Sequence, residues 1–263
     1  MIMNLKNIPE YVPGHNLLKG KKVVITAAAG TGIGFAVAKK CIEEGAVVFI
    51  SDIHEGRLQK AQNALHGFTG YKPDYAICDV TKQSDVDNLI SIASVSMSGM
   101  DIVINNAGLG GTANLVDMTD EQWSVVLDVT LNGCFRINRA AMQFMKVNGG
   151  GIIVNNASVL GWRAQKGQAH YAAAKAGVMA LTRCAGLEGA EYGVRVNAVA
   201  PSLALHPFLH KVTSKELLAE LEAKEAFGRG SEVWEQANAM IFLASDYSSY
   251  MTGEVISTSS QRA

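Results

Sequence analysis

Residues 21–52 read KKVVITAAAGTGIGFAVAKKCIEEGAVVFISD. KKVVIT (21–26) is a short apolar, β-branched run; FAVAKKCIEEG (35–45) has helical periodicity and stops at Gly45; AVVFISD (46–52) is apolar and β-branched again. Strand, glycine-rich turn, helix and strand in that order form a βαβ unit. Gly30, Gly32 and Gly34 lie between the first strand and the helix. Such a turn lets backbone come close to a pyrophosphate, and the helix end supplies free N–H groups and a positive dipole. A tight turn without a ligand reads the same way, because G-x-G alone is a weak signal.

The alternation continues outward from this unit. Further strands are expected at 75–79, 101–105, 150–158, 194–200 and 254–258. Helices are expected at 55–66, 82–97, 119–146, 168–190 and 231–245, with a loop-helix region at 202–228. The strands are continuous apolar runs rather than alternating ones, so both faces of a parallel sheet are covered by helices. This is an α/β, doubly wound, Rossmann-like pattern, which places ligands at the edge formed by the strands' C-terminal ends. Residues 1–20, with Pro9, Pro13 and Gly14, read as an N-terminal arm, and 21–263 as a single domain.

Composition agrees with that class. The chain has 263 residues, 48% hydrophobic and 18% charged, with net charge -1. An apolar content this high excludes intrinsic disorder. The near-neutral balance argues against a nucleic-acid binder or a polybasic membrane-surface protein. No apolar run approaches the ~18 residues that span a bilayer. The start MIMNLKNIPEYVPG lacks the apolar core of a secretory signal, and the end SQRA matches no retention or peroxisomal address. Cys41, Cys78, Cys134 and Cys184 are far apart, without ligand spacing. The expectation is free thiols in a cytoplasmic protein with no metal site.

The loops after the strands carry the candidate site. Asp52 ends the second strand, where a carboxylate accepts hydrogen bonds from an adenosine ribose and repels a 2′-phosphate. Thr31, not a base, precedes Gly32, and the nearest base is Arg57, so NAD is expected over NADP. The competing role for Asp52 is a helix N-cap with Glu55 in a capping box. Asp79 and Val80 close the third strand, where Asp79 either meets the adenine or caps the helix at 82. Asn105, Asn106, Ala107 and Gly108 close the fourth and line the same cleft. Ser158 follows the fifth strand, and Tyr171 and Lys175 lie one helical turn apart in HYAAAKAG. A free tyrosine titrates near ~10, and an adjacent ammonium favours its phenolate. Tyr171 is therefore a candidate proton donor to a carbonyl, with Ser158 bonding the same oxygen. YxxxK alone also occurs by chance in many helices.

Taken in order, GTGIG, Asp79-Val80, NNAG, Ser158, YxxxK and RVNAVAP resemble the short-chain dehydrogenase/reductase family over about residues 18–258. The resemblance implies a seven-stranded parallel sheet, hydride transfer between a nicotinamide and an alcohol or ketone, and a homotetramer or homodimer. It implies Tyr171 as acid/base and in contact with the cofactor, Lys175 on the nicotinamide ribose, Ser158 on the substrate oxygen and Pro201 at the cofactor. Three departures stand out. Ala28 falls at the first glycine of TGxxxGxG, Thr130 replaces the asparagine of DVNLxG, and Pro201-Ser202 replaces PG, with His206 near the usual threonine. Thr130 is expected to hold a relay water through its hydroxyl. Gly30 is expected to compensate for Ala28.

TAAAGTGIG, NNASVLGWRAQ, HYAAAKAGVMALTRC and FLASDYSSYMTGEVIS are similar to a bacterial subgroup of steroid catabolism. That subgroup acts on an indanone-type C/D-ring fragment carried as a CoA thioester. An apolar lid of Trp162, Leu203, Leu205, Phe208 and Leu209 would suit such a substrate, although Trp162 equally suits plain packing. Arg163 faces either a thioester's phosphate or solvent. A β-ketoacyl thioester reductase shares every motif, and a nucleotide-binding protein without catalysis is the alternative of a different class. Small residues Ala172, Ala176 and Gly177 would allow helices 119–146 and 168–190 to pair across a subunit two-fold.

Overall fold

The computed structural model describes residues 5–207, 209 and 214–261; Phe208 lies outside the described residues. β1 (Lys22–Ile25), α1 (Ile33–Glu43) and β2 (Val47–Asp52) form the opening unit. α2 (Glu55–Thr69), β3 (Asp74–Ile77), α3 (Gln83–Ser96) and β4 (Ile102–Asn105) complete the first half. α4 (Asp120–Leu127), α5 (Gly133–Val147), β5 (Gly151–Asn156), α6 (Ala169–Ala190) and β6 (Val194–Pro201) follow. The rest of the described chain holds β7 (Ala204–Leu205), α7 (Lys215–Lys224), β8 (Ser231–Glu232), α8 (Val233–Ala244) and β9 (Val255–Thr258).

Among the described residues one sheet has the order β3-β2-β1-β4-β5-β6-β9, and every pair in it is parallel. The order reverses between β1 and β4, where the loops diverge and leave a cleft. Side chains alternate across the sheet. Val23 and Ile25 pack with α1, α2 and α8 through Val37, Leu58, Leu65 and Met240. Val24 points the other way, toward Val86 and Leu89 of α3 and Ile137 of α5. The sheet is thus apolar on both sides, as the unbroken runs required.

Two elements differ from the sequence expectation. The helix expected at 119–146 is interrupted by a π-helical turn over Asp128–Asn132, in which the Gly133 N–H bonds the Asp128 carbonyl. The hydrophobic periodicity runs through the interruption, so pattern alone does not show it. The 202–228 region is gated by a two-residue ribbon, β7 beside β8, in which the Ser231 N–H meets the Leu203 carbonyl at 2.8 Å. Too short to register as a strand pattern, this ribbon fixes where the loop leaves the sheet edge and returns.

Candidate active site

The first turn is held from the loop after β4. The Thr26 hydroxyl accepts the Asn106 and Ala107 N–H groups at 2.9 and 3.0 Å. The Asn106 amide donates to the Thr26 and Ala27 carbonyls at 3.2 and 3.1 Å. Ala27 sits at φ 49, in the left-handed region, whereas Ala28 does not. This corrects the sequence alignment: the position that wants glycine is Ala27, next to Thr26, and the turn from Thr26 to Gly34 is one residue longer than TGxxxGxG. Gly30 does not compensate by a left-handed backbone. Gly34 is required for packing, since a Cβ there would lie 2.3 Å from the Ala27 carbonyl oxygen and 2.4 Å from Asn106 Nδ2. Around Gly30 and Gly32 there is no protein atom within 4 Å of such a Cβ. α1 starts after Gly32 with no side-chain cap and no acid in its first turn, and Thr31 is exposed beside it. The N–H groups of Ile33 and its neighbours are left to an anion, so these residues fit a pyrophosphate.

Asp52 is buried at the end of β2, and its Oδ1 accepts the His54 N–H at 3.1 Å and Arg57 Nη2 at 2.9 Å. The N-cap of α2 is His54, with no side-chain cap, so the expected capping box with Glu55 does not form. Asp79 likewise does not cap α3, whose N-cap is Lys82. Its Oδ1 closes a local turn on the Thr81 N–H and hydroxyl at 3.0 and 2.7 Å, with Lys82 at 3.5 Å. Burial works against the charge of Asp79, but these Thr81 and Lys82 contacts outweigh it and hold the carboxyl below its usual range. Val80 is buried against Gly133, and its carbonyl accepts from Arg136 at 3.3 Å.

Tyr171 and Lys175 share a face of α6. Lys175 is 2% exposed, its Nζ donates to the Asn156 carbonyl at 2.5 Å, and it stands 5.5 Å from the Tyr171 ring centre. The loop after β4 lies along both. A Cβ on Gly108 would be 3.4 Å from Lys175 Nζ, and one on Gly110 would be 3.9 Å from the Tyr171 ring. Ser158 caps a short helical turn, its Oγ accepting the Leu160 N–H at 3.2 Å. That bond uses an acceptor site and leaves the hydroxyl proton for another partner.

Thr130 is 1% exposed on the π-helical turn, and its hydroxyl reaches the loop after β4. The hydroxyl donates to the Leu109 carbonyl at 3.0 Å and accepts the Leu109 N–H at 2.9 Å. Its single proton is spent, and its effect is to clamp the loop beside Lys175. Asn132, two residues on, donates to Asp128 Oδ1 at 3.1 Å. Beneath the site, Asn105, Asn138, Asn155 and Thr182 form a buried amide-hydroxyl network around Cys134. Burial pushes the Cys134 thiol up to about 12, against the opposing pull of Lys175 and the amides.

The sequence reading missed Asn156. Its amide donates to Asn106 Oδ1 at 2.8 Å, so the strand that receives Lys175 also steadies the residue gripping Ala27. A polar residue at the end of an otherwise apolar strand was the available signal.

Ser158 and Tyr171 open on a cavity of about 680 Å³, within the usual range for small-molecule sites. Leu160 and Leu203 line it near the sheet edge, and Leu217 and Leu221 of α7 cover it. Pro201 ends β6 just before Ser202, which also lines the cavity. Of the expected lid, Leu203 lines the cavity, whereas Trp162, 42% exposed, and Leu205 lie outside the lining, and Leu217 and Leu221 take part instead. Gly177 packs inside the chain, where a Cβ would be 2.8 Å from Leu131 Cδ2.

A dinucleotide turn at the switch point, with serine, tyrosine and lysine at the same sheet edge, defines the short-chain dehydrogenases/reductases, enzymes acting on CH–OH and keto groups. The chain belongs to this family: the family model described as enoyl-(acyl carrier protein) reductase matches residues 27–259. It is 56% identical over 98% of its length, and 99% of the relative's, to the (5R,7aS)-5-hydroxy-7a-methyl-1-oxo-2,3,5,6,7,7a-hexahydro-1H-indene-carboxyl-CoA reductase of Mycobacterium tuberculosis. It is 36% identical to a 3-oxoacyl-[acyl-carrier-protein] reductase of Thermotoga maritima, covering 91% of this chain and 96% of that one. A solved short chain dehydrogenase from Mycobacterium smegmatis superposes with TM-score 0.88 at 52% identity, covering 99% of this chain and 100% of the other.

Proposed function

We propose that this chain is an NAD(H)-dependent oxidoreductase for a secondary alcohol or ketone on a bulky alicyclic ring system carried as a CoA thioester. The observation that carries the reading is the shared cavity of Ser158 and Tyr171, with Lys175 buried behind the tyrosine. A bound nicotinamide supplies or accepts the hydride. Gly30, Thr31, Gly32, Ile33 and Gly34 would receive its pyrophosphate, and Asp79, Val80, Asn106, Ala107, Gly108 and Pro201 would flank it along the cleft. In the reductive direction the Tyr171 hydroxyl donates its proton to the substrate oxygen, and in the other it takes the proton back. Ser158 donates to the same oxygen with the proton that its bond from Leu160 leaves available. Lys175, fixed by the Asn156 carbonyl, holds positive charge beside the tyrosine and reaches the nicotinamide ribose. Thr130 keeps the Gly108–Gly110 loop seated through Leu109.

NAD is favoured over NADP by Asp52. Arg57 and His54 occupy Oδ1, and Oδ2 is left for a ribose hydroxyl and against a 2′-phosphate. Among the described residues no helix is long and apolar enough to cross a membrane, and we place the enzyme in the cytoplasm. Exposed Trp123 and Val125 on α4 and Phe135 on α5 favour a homodimer or homotetramer, which light scattering tests.

The leucines lining the cavity, Leu160, Leu203, Leu217 and Leu221, and the name of the indene-carboxyl-CoA relative support the alicyclic substrate. A β-ketoacyl thioester reductase is the second reading, favoured by the name of the Thermotoga relative. Initial rates with bicyclic ketone CoA thioesters and with acetoacetyl-CoA, each with NADH and NADPH, separate the two. Higher kcat/KM with the bicyclic thioester and NADH is expected. Preference for acetoacetyl-CoA would favour the second reading, and equal use of NADPH would reject the role of Asp52.

A further inference from the structure

We propose that Arg163 is the anion receptor of the catalytic cavity, so that the enzyme selects ketones bearing an oxyanionic arm, carboxylate or phosphate. The proposal rests on the cavity being the substrate site, as argued above.

The residue is firmly placed. Its N–H bonds the Val159 carbonyl at 3.0 Å, within the turn that Ser158 caps. Its side chain is not matched in the same way. Nη1 donates to the side-chain carbonyl of Gln261, a neutral acceptor. Nε and Nη2 are shut off from water and have no hydrogen-bond partner among the described residues. These two unmatched donors leave the guanidinium short of acceptors, and the donor held by an exchangeable neutral oxygen is Nη1. Withdrawing a guanidinium from water with one neutral acceptor is unfavourable.

Other partly buried arginines in this chain are matched. Arg195 reaches the Ser248 hydroxyl and the Met251, Leu243 and Ser245 carbonyls at 3.0–3.4 Å. Arg229 makes a two-pronged pair with Glu235 at 2.7 and 2.8 Å. A structural arginine here looks like those two.

The cavity's charges point the same way. Arg163, Lys166 and Lys224 line it, against Glu220 and Glu225. Lys224 pairs with Glu220 at 2.7 Å. Glu225 is buried, and its oxygens accept from Gln261 Nε2 and Ser260 Oγ, each at 2.8 Å. No carboxylate among the described residues is in ion-pair contact with Arg163 or Lys166. Gln261 turns its amide to Glu225 and its carbonyl to Arg163, and so occupies the place an anionic oxygen would take. Charge-assisted bonds are about twice as strong as neutral ones, so a substrate oxyanion displaces Gln261.

The two residues therefore have opposite expected effects. A bicyclic indanone-type ketone is tested as CoA thioester, free carboxylic acid and methyl ester. R163Q is expected to raise KM for the recognised anion roughly 10–100-fold, the size of a lost charged hydrogen bond. The methyl ester's KM, kcat and the NADH Kd stay within about two-fold. Q261A lowers KM for the same anion. An effect on the thioester alone assigns the anion to phosphate, and an effect on the free acid assigns it to carboxylate. Equal losses on the ester, no loss on any form, or a higher KM in Q261A would overturn the proposal. Calorimetric titration with the free acid and with CoA tests binding without turnover. Affinity lost in R163Q supports the receptor even if the catalytic reading fails, and affinity equal to the unmutated enzyme overturns it.

Discussion

Replacing Gly34 with alanine should separate what the glycine turn does for the fold from what it does for a ligand. The added Cβ would sit 2.3 Å from the Ala27 carbonyl oxygen and 2.4 Å from Asn106 Nδ2, distances at which atoms must move. Both are fixed: Asn106 bonds the Ala27 carbonyl and is itself held by Asn156. Overpacking a filled site costs about 1–3 kcal/mol. Losing the Asn106 bond to Ala27 adds about 0.5–1.5 kcal/mol. The sum, about 1.5–4.5 kcal/mol, lowers Tm by roughly 3–18 °C for a chain of this size. Gly30 is the control. Its Cβ meets no protein atom within 4 Å and its φ is not left-handed. Gly30→Ala should leave Tm of the ligand-free protein within about 2 °C, because surface changes are usually within ~0.5 kcal/mol. It should still weaken NADH binding several-fold, since the open space is where backbone meets pyrophosphate. Differential scanning fluorimetry and NADH fluorescence titration read both. An unchanged Tm in Gly34→Ala, or equal destabilisation by Gly30→Ala, would refute the reasoning.

Two further predictions concern the same edge of the sheet. Ala27→Gly relieves a left-handed alanine worth about 1–2 kcal/mol, while added freedom of the unfolded chain takes back about 0.4–1 kcal/mol. The net gain of about 0–1.6 kcal/mol predicts a Tm rise of up to roughly 6 °C, and a fall would show that the left-handed backbone carries no strain. Asp79→Asn removes a carboxyl whose folded pKa is lowered from 3.8. A lowered carboxyl stabilises above the unfolded value and loses that contribution as pH falls through the folded one. The stability gap between the two proteins should be steady from pH 7 to about 5 and begin to shrink below about 4 in chemical denaturation; a gap that widens as the pH falls below about 4 contradicts this.

Much of this architecture is legible in the sequence because buried parallel strands are written as unbroken apolar runs. Val23 and Ile25 on one face and Val24 and Phe49 on the other need no tertiary information to be read as covered on both faces. The site residues that follow strand ends, Asp52, Asn106 and Ser158, are placed by the same logic. What is not legible depends on contacts distant in sequence. The left-handed residue falls on Ala27 rather than Ala28 because Asn106, 79 positions away, grips the Ala27 carbonyl. The hydroxyl of Thr130 is claimed by Leu109, a residue 21 positions earlier that no motif singles out. Asp52 and Asp79 both precede helices at cap-like spacing, yet neither caps; Asp52 is taken by Arg57 and His54, and Asp79 by Thr81. The incomplete coordination of Arg163 is set by Gln261, 98 residues on.

The central claim is that Tyr171 passes a proton to the substrate oxygen while Lys175 and the turn hold the cofactor. Tyr171→Phe removes only the hydroxyl, and Lys175 keeps its bond to the Asn156 carbonyl. With NADH and the bicyclic CoA thioester at saturation, kcat should fall about 10²–10⁴-fold, the usual contribution of a positioned acid. The NADH dissociation constant should change far less than kcat, since the glycine-rich turn and Lys175 are proposed to carry most of the hold on the cofactor. A kcat within a few-fold of the unmutated enzyme would contradict the assignment.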